Sequence, residues 1–272
     1  MGFLSYKKKV EDIFVKNNID KSEVNILFCE TLNLSLDKLL LKTEITNSEK
    51  LKLNRYIKKR LSGEPIQKIF RRAYFFEYQF YINNNVLCPR PETELLVEEC
   101  IKYTSEQTKV LDLCTGSGAI AVTIQKKTNA KVTASDISKK ALYVARKNAK
   151  VLGTNVKFVQ SDMFDRIDAK FDLIVSNPPY IPTAEIQHLD REVRNYDPTI
   201  SLDGGISGLE FYKIIANNAK DYLNKNGKVL LEVGKGQAKT VAKMFTEQGF
   251  TTYVKKDYNN IDRIVVATML EN

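Results

Sequence analysis

From about residue 87 onward, two sequence patterns alternate, and this alternation restricts the possible folds more than any other feature. Short β-rich runs occur at residues 109–114, 131–135, 156–160, 171–176, 228–233, 251–255 and 263–268. Helical patterns occur between them at residues 120–127, 139–152 and 210–223. Strands that alternate with helices through short connections form a parallel sheet with helices on both faces. We therefore predict a Rossmann-like α/β domain with a sheet of about seven strands.

Two smaller regions precede this domain. Residues 1–72 carry apolar side chains at intervals of three and four, which predicts a small helical domain. Residues 73–86 are rich in aromatic side chains in an alternating pattern, and the asparagines at 83–85 close this segment as a turn would. That segment is expected to form a β-hairpin linker between the two domains. The third predicted domain then covers residues 87–272.

Composition excludes several classes of protein. The chain has one histidine, His188, so chemistry that requires a histidine base within a catalytic triad is disfavoured. Its four cysteines, Cys29, Cys88, Cys100 and Cys114, lack the spacing of a zinc site or a disulfide framework. No apolar run reaches the roughly 18 residues of a membrane span, and no secretory signal is visible. We therefore expect a cytoplasmic protein with no metal site and no membrane association.

The net charge of +9 leaves the type of partner open. An excess of lysine and arginine favours acidic or nucleic-acid partners. However, the basic residues are spread along the chain, and no dense basic block with interleaved aromatic side chains is present. We expect no stable complex with nucleic acid, and we expect a monomer.

The first β-rich run leads into a glycine turn and then into a helix. Gly116 and Gly118 lack side chains, so a cofactor can lie against the backbone at the carboxyl end of the strand. Asp136 ends the next strand, where a carboxylate accepts hydrogen bonds from ribose hydroxyls. Asp162 follows the third strand, in a position to meet an adenine ring. Nicotinamide and S-adenosylmethionine cofactors both fit these features.

The fourth predicted strand, residues 171–176, delivers the tetrapeptide Asn177-Pro178-Pro179-Tyr180 to the same edge of the sheet. The Asn177 side-chain oxygen and the Pro178 carbonyl can accept the two hydrogens of an NH2 group. The prolines hold the backbone extended, and Tyr180 offers a ring for stacking against a planar target. Two acceptors orient the nitrogen and favour the positive charge that develops on it during methyl transfer. The tetrapeptide thus favours S-adenosylmethionine as the cofactor.

With these motifs in view, the sequence resembles the PrmC/HemK family of release-factor glutamine methyltransferases over nearly its whole length. The most family-specific segments are residues 63–69 (GEPIQKI), 89–94 (PRPETE), 192–194 (EVR) with Asp197-Pro198, 231–234 (LEVG), and Asp257-Tyr258 near Arg263. The resemblance implies a helical amino-terminal domain, a β-hairpin and a class I methyltransferase domain. It also implies methylation of the glutamine amide in the Gly-Gly-Gln motif of class I peptide chain release factors.

The resemblance assigns roles by position. Together with Asp162, the residues expected to bind S-adenosylmethionine are Cys114, Thr115, Gly116, Ser117, Gly118, Asp136, Met163 and Asn177. Asn177, Pro178, Pro179 and Tyr180 are expected to hold the glutamine, with Asn177, Pro178 and Tyr180 in the catalytic roles. The family often has glycine in place of Cys114 and an aromatic residue in place of Met163. Backbone contacts and an apolar adenine wall survive both changes.

Three alternatives remain open from the sequence. An adenine-N6 nucleic-acid methyltransferase uses the same acceptor chemistry, but this chain shows no target-recognition domain. A nicotinamide dehydrogenase is compatible with the glycine turn, but no proton-relay histidine or Tyr-Lys pair is visible. A non-catalytic cofactor-binding adaptor is disfavoured because Asn177 and both prolines are present.

Overall fold

Residues 2–269 are described by the structure, a computed structural model. Their contacts fall into two units, Met1–Arg71 and Arg72–Asn272. No helix within residues 2–269 has the length and apolar character needed to cross a membrane.

The first unit is helical. Its helices are α1 (Phe3–Lys16), α2 (Glu23–Leu32), α3 (Leu36–Leu40), α4 (Asn47–Leu61) and α5 (Ile66–Phe70). Thr46 and Glu49 form a reciprocal capping box at the start of α4, which satisfies backbone N–H groups that have no partner within the helix. Phe3, Phe14 and Phe28 are fully buried in the core between the helices. The prediction of a helical domain is therefore confirmed.

A β-hairpin opens the second unit. Strands β1 (Arg72–Phe75) and β2 (Tyr78–Tyr81) pair antiparallel, as the sequence predicted. The hairpin turn lies at Phe76 and Glu77, a position that the sequence pattern did not indicate. The asparagines at 83–85 form a separate turn after β2, so the prediction that they close this segment is confirmed. Phe76 adopts a positive φ of 50° and donates its backbone N–H to Glu94, so a distant side chain stabilises a turn that has no turn-type sequence.

The remaining elements form the α/β part of this unit. They are α6 (Pro91–Ile101), β3 (Lys109–Leu113), α7 (Ala119–Thr128), β4 (Lys131–Asp136), α8 (Lys139–Leu152), β5 (Lys157–Gln160), β6 (Phe171–Ser176), α9 (Arg191–Tyr196), α10 (Glu210–Tyr222), β7 (Leu223–Glu232), α11 (Ala238–Glu247), β8 (Phe250–Lys256) and β9 (Asp262–Met269). In this described part of the chain the large sheet has seven strands in the order β5-β4-β3-β6-β7-β9-β8. The predicted fold class and strand number are confirmed.

The sheet is parallel from β5 to β7, and β9 runs antiparallel to both of its neighbours. A parallel connection needs about a dozen residues, and the short turn between β8 and β9 allows only an antiparallel pair. Side chains from both faces of the sheet are buried: Val110 packs in one apolar cluster, and its neighbour Leu111 packs in another. The strands therefore appear in the sequence as continuous apolar runs.

Asn148 on α8 connects the hairpin to the glycine turn. Its carboxamide accepts the Tyr81 N–H (2.7 Å) and donates to the carbonyls of Tyr81 (2.9 Å) and Ser117 (2.8 Å). The side chain is only 2% exposed. We expect Asn148→Ala to lower the free energy of unfolding by about 2–4 kcal/mol, because buried backbone groups lose their partners. Urea unfolding measures this effect; Lys150→Ala, on the exposed face of α8, is the control, and equal losses in the two variants would contradict the assigned contacts.

Candidate active site

The carboxyl ends of five parallel strands meet at one edge of the sheet. β3 lies between β4 and β6, so the chain changes direction across the sheet at β3. Ligands bind at such a switch point, outside the carboxyl ends of the strands. The predicted site segments follow β3, β4, β5 and β6 at this edge. The topology therefore gathers residues that lie far apart in the sequence.

The two glycines of the turn after β3 have different roles. Both have positive φ, 55° for Gly116 and 80° for Gly118. A Cβ on Gly118 would lie 3.1 Å from the Cβ of Ala145, so this glycine permits α7 and α8 to pack closely. A Cβ on Gly116 would have only the Cys114 carbonyl nearby, at 4.0 Å. Gly116 therefore leaves its outer face open to a ligand.

Asp136 is held rigidly at the end of β4. One carboxylate oxygen accepts the Gly116 N–H at 2.9 Å, and the other accepts the Ser138 N–H at 2.8 Å. Burial raises the pKa of Asp136, while these two backbone donors oppose the rise. The carboxylate therefore stabilises the glycine turn and remains at the edge of a cavity.

A cavity at this edge has a volume of about 360 Å³, within the usual range for small-molecule sites. The predicted cofactor residues that line it are Cys114, Gly116, Asp136, Asp162, Met163 and Asn177. Thr115 and Ser117 are buried and line a small adjoining cavity of about 50 Å³. Gly118 lines neither of them and serves the helix packing described above.

Cys114 and Met163, the two residues that differ from those common in the family, lie side by side. The Cys114 thiol points at the Met163 sulfur, 3.8 Å away. Both residues have positive φ, 58° and 41°, which glycine adopts at lower cost than either. Burial raises the pKa of the Cys114 thiol, so the thiol stays protonated and is a poor nucleophile. Cys114 and Met163 thus form an apolar wall of the cavity.

Asn177 directly follows β6 and is half-buried. Its Nδ2 donates to the hydroxyl of Thr93 on α6 at 3.1 Å. Within residues 2–269, neither the Asn177 side-chain oxygen nor the Pro178 carbonyl accepts a hydrogen bond. Two acceptors of the type proposed from the sequence are thus unpaired at the sheet edge.

A second cavity, of about 200 Å³, adjoins the first. Its lining includes Arg90, Pro178, Tyr180, Leu189 and Val193. It shares three residues with the larger cavity, namely Leu87, Asn177 and Ser201. Asn177 therefore stands where a cofactor cavity and an acceptor cavity would meet.

Tyr180 is enclosed by main chain. A Cβ on Gly204 would lie 2.7 Å from the Tyr180 Cα, and one on Gly234 would lie 3.0 Å from the Tyr180 ring. Gly208 packs against the Tyr180 carbonyl, which accepts a hydrogen bond from Gln237 (2.9 Å). Burial raises the pKa of Tyr180 to about 12, so its hydroxyl is neutral near pH 7. Tyr180 contributes a neutral ring to the acceptor cavity.

The long segment after Tyr180 is folded. It contains a 3-10 helix (Thr183–His188), α9 and a second 3-10 helix (Thr199–Ser201). Asp197 is 8% exposed and accepts hydrogen bonds from the Arg90 guanidinium (3.1 Å) and the Cys88 N–H (3.4 Å). The family-like segments at 89–94 and 192–198 are therefore connected to each other beside the acceptor cavity.

Sequence reasoning missed several residues of the site. Leu87, Leu189 and Ser201 line the cavities, but they are ordinary residues in irregular segments. Thr93 and Glu232 were noted only within family-like segments, although both are buried next to Asn177. The available signal for Glu232 was a charged residue at the end of an otherwise apolar strand.

Known proteins resemble both units. The model of the Methyltransferase small domain matches residues 90–192, and that of the PrmC N-terminal domain matches residues 8–70. A release factor glutamine methyltransferase of Thermodesulfovibrio yellowstonii is 38% identical over 95% of this chain and 96% of its own. One of Geobacter sulfurreducens is 42% identical over 77% of this chain and 75% of its own. Among solved structures, a methyltransferase from Pyrococcus furiosus superposes with a TM-score of 0.56 at 20% identity, covering 79% of this chain and 98% of its own.

The strand order and the family match together define the class: the second unit is a Rossmann-like class I methyltransferase domain. Within this class, the match of the amino-terminal unit and the alignment of a relative over nearly the whole chain identify the family. This chain belongs to the family of release factor glutamine methyltransferases, so the resemblance found in the sequence is confirmed.

Proposed function

We propose that this protein transfers a methyl group from S-adenosylmethionine to the side-chain amide nitrogen of the glutamine in the Gly-Gly-Gln motif of class I peptide chain release factors. The observation that carries the proposal is the pair of unpaired acceptors, Asn177 Oδ1 and the Pro178 carbonyl, between two adjoining cavities. The names of the relatives support the choice of substrate.

The residues of the larger cavity fit S-adenosylmethionine. Gly116 has an open face where a side chain would intrude, and Asp136 offers a carboxylate to the ribose hydroxyls. Met163 and Cys114 provide an apolar wall for the adenine, and Asp162 lies beside them. When bound, S-adenosylmethionine supplies an electrophilic methyl group on a sulfonium. We assign these residues to cofactor binding, with Thr115, Ser117 and Gly118 shaping the turn from beneath.

The acceptor side of the site orients a weak nucleophile. An amide nitrogen shares its lone pair with the adjacent carbonyl, so it reacts only when it is well aligned. Hydrogen bonds from its two N–H groups to Asn177 and Pro178 place the nitrogen and stabilise the positive charge that develops on it. Tyr180 bounds the space for the planar amide, whereas Pro179, also expected from the sequence to hold the glutamine, lines the larger cavity. No strong base is required, because a positively charged nitrogen loses its proton readily to water.

The helical unit is proposed to hold the release factor rather than the reacting glutamine. It is a separate unit, with its own apolar core. The acceptor cavity, of about 200 Å³, has room for a side chain but not for a protein domain. Additional binding surface elsewhere on the enzyme would therefore help to select this glutamine among many.

Mass spectrometry of a purified class I release factor, incubated with this protein and S-adenosylmethionine, tests the proposal. We expect a gain of one methyl group on the peptide that contains Gly-Gly-Gln. A release factor with alanine in place of that glutamine is the control and should gain none. An adenine-containing oligonucleotide tests the alternative reaction; its methylation without modification of the release factor would overturn the proposal.

A further inference from the structure

A buried carboxyl group lies beside Asn177 and has no role in the chemistry described so far. Ser176 of β6 pairs with Leu231 of β7, so the next residues, Asn177 and Glu232, lie at the same level of the sheet edge. Glu232 is only 2% exposed. Its Oε2 has no hydrogen-bond partner in the part of the chain that the structure describes. Such burial of a carboxyl group is costly, so its retention here calls for a specific role.

Thr93 brings a third side chain into contact with this pair. It is 5% exposed, and its hydroxyl oxygen accepts the hydrogen bond from Asn177 Nδ2. Burial raises the pKa of Glu232 to about 7, and the neighbouring Thr93 hydroxyl and Asn177 amino group, both of which can donate hydrogen bonds, partly oppose this rise. Glu232, Thr93 and Asn177 therefore form a polar cluster in an otherwise apolar environment.

The direction of hydrogen bonding in this cluster decides which end of the Asn177 carboxamide faces the substrate. The two ends have nearly the same shape, but one accepts hydrogen bonds and the other donates them. An ionised carboxylate can only accept, so Glu232 requires donors from both neighbours. A Thr93 hydroxyl that donates to Glu232 would leave only its lone pairs for Asn177, and Asn177 is the donor in its observed contact with Thr93. Asn177 must then turn its amino group inward and its oxygen outward.

We propose that Glu232 and Thr93 are positioning residues that hold the Asn177 carboxamide with its oxygen toward the substrate amide. This inference rests on the proposed function and deepens it. Neither residue touches the reacting atoms; both act through Asn177. Protonated Glu232 becomes a donor, so it can bond to the Asn177 oxygen or reverse the Thr93 hydroxyl. The reversed carboxamide presents an amino group to the substrate N–H groups and repels them.

The arrangement predicts loss of activity on acidification. The carboxylate form of Glu232 is the active one, so kcat/KM should fall as the pH drops through about 7. The positive charge of Arg263 favours the carboxylate form of Glu232, and the negative charge of Glu92 disfavours it. Tyr180 and Tyr212 also interact with Glu232, and both remain neutral because burial raises the pKa of each. Asp112, whose pKa burial raises to about 7, lies beneath the glycine turn and titrates in every variant.

The first experiment compares Thr93→Val with Thr93→Ser on a purified release factor. Valine keeps the shape and removes the hydroxyl, and serine restores the hydroxyl. We expect Thr93→Val to lower kcat by about tenfold or more, the effect of one lost hydrogen bond in a charged cluster. Thr93→Ser should remain within about threefold of wild type on the same reasoning. Calorimetry should show nearly unchanged affinity for S-adenosylmethionine in both; equal turnover of Thr93→Val and wild type would overturn the proposal.

The second experiment compares the pH profiles of wild type and Glu232→Gln. Glutamine has nearly the same shape but cannot titrate, so the acid limb assigned to Glu232 should disappear. Subtracting the two profiles removes the contribution of Asp112. An unchanged acid limb in Glu232→Gln would overturn the role of Glu232. These comparisons need measurable wild-type activity; its absence on every release factor would instead count against the proposed function.

Discussion

Asn177→Ala should lower kcat for methyl transfer by about 10²- to 10³-fold, the usual effect of removing one group that stabilises developing charge. The mutation deletes the side-chain acceptor and leaves the Pro178 carbonyl in place. Asn177 shares the larger cavity with many other residues, so affinity for S-adenosylmethionine should change little. Single-turnover kinetics on a release factor measure the first effect, and calorimetry measures the second.

Asn217→Ala is the matched control for this mutation. Asn217 is exposed on α10, where its side-chain oxygen accepts a hydrogen bond from Gln248 (3.2 Å). Turnover of this control should equal that of wild type. Comparable turnover of Asn177→Ala and its control would remove the central element of the proposed mechanism.

Asp136→Ala should weaken binding of S-adenosylmethionine by about 10- to 100-fold. Hydrogen bonds to a charged group contribute about 1.5–3 kcal/mol, and the ribose hydroxyls lose such bonds. A second loss adds to this effect, because the Gly116 N–H also loses its carboxylate partner and the glycine turn loosens. Calorimetric titration with S-adenosylmethionine measures the change in Kd.

Asp168→Ala provides the comparison, because Asp168 is exposed and does not line the cofactor cavity. Its Kd should match that of wild type. Asp136→Asn should fall between the two, since one amide oxygen still accepts a hydrogen bond while the amino group opposes a backbone donor. An unchanged Kd in Asp136→Ala would refute the assignment of Asp136 to the ribose.

The alternation of strands and helices could be predicted from the sequence because it depends on local composition. A buried strand such as β6 is a short apolar run, and an amphipathic helix such as α8 has apolar residues at intervals of three and four. The direction of β9 and the position of the hairpin turn could not be predicted in this way. The short connection from β8 makes β9 antiparallel to it, and the turn at Phe76 depends on a hydrogen bond from its N–H to Glu94. The hairpin turn therefore depends on a neighbour in space, whereas the direction of β9 follows from the length of a connection rather than from local composition.

The same distinction applies to the site. Gly116, Asp136 and Asn177 follow strand ends, and strand ends in a parallel sheet share one edge, so their proximity could be inferred. Thr93 comes from a helix that precedes the whole sheet in the sequence. Its contact with Asn177 depends on how α6 packs, which no local pattern specifies. The residues that orient a functional group are therefore harder to predict than the group itself.

The three glycines around Tyr180 have a consequence for engineering this enzyme. A side chain at Gly204 or Gly208 would collide with the Tyr180 main chain, and one at Gly234 would collide with the Tyr180 ring and the Gln237 side chain. Almost any substitution there therefore displaces Tyr180 instead of reshaping a wall of the cavity. Attempts to redirect the enzyme to other planar amides should therefore leave these three glycines unchanged. The variable positions to randomise are the side chains at the rim, Leu189 and Val193, which border the acceptor cavity and come from the folded segment after Tyr180.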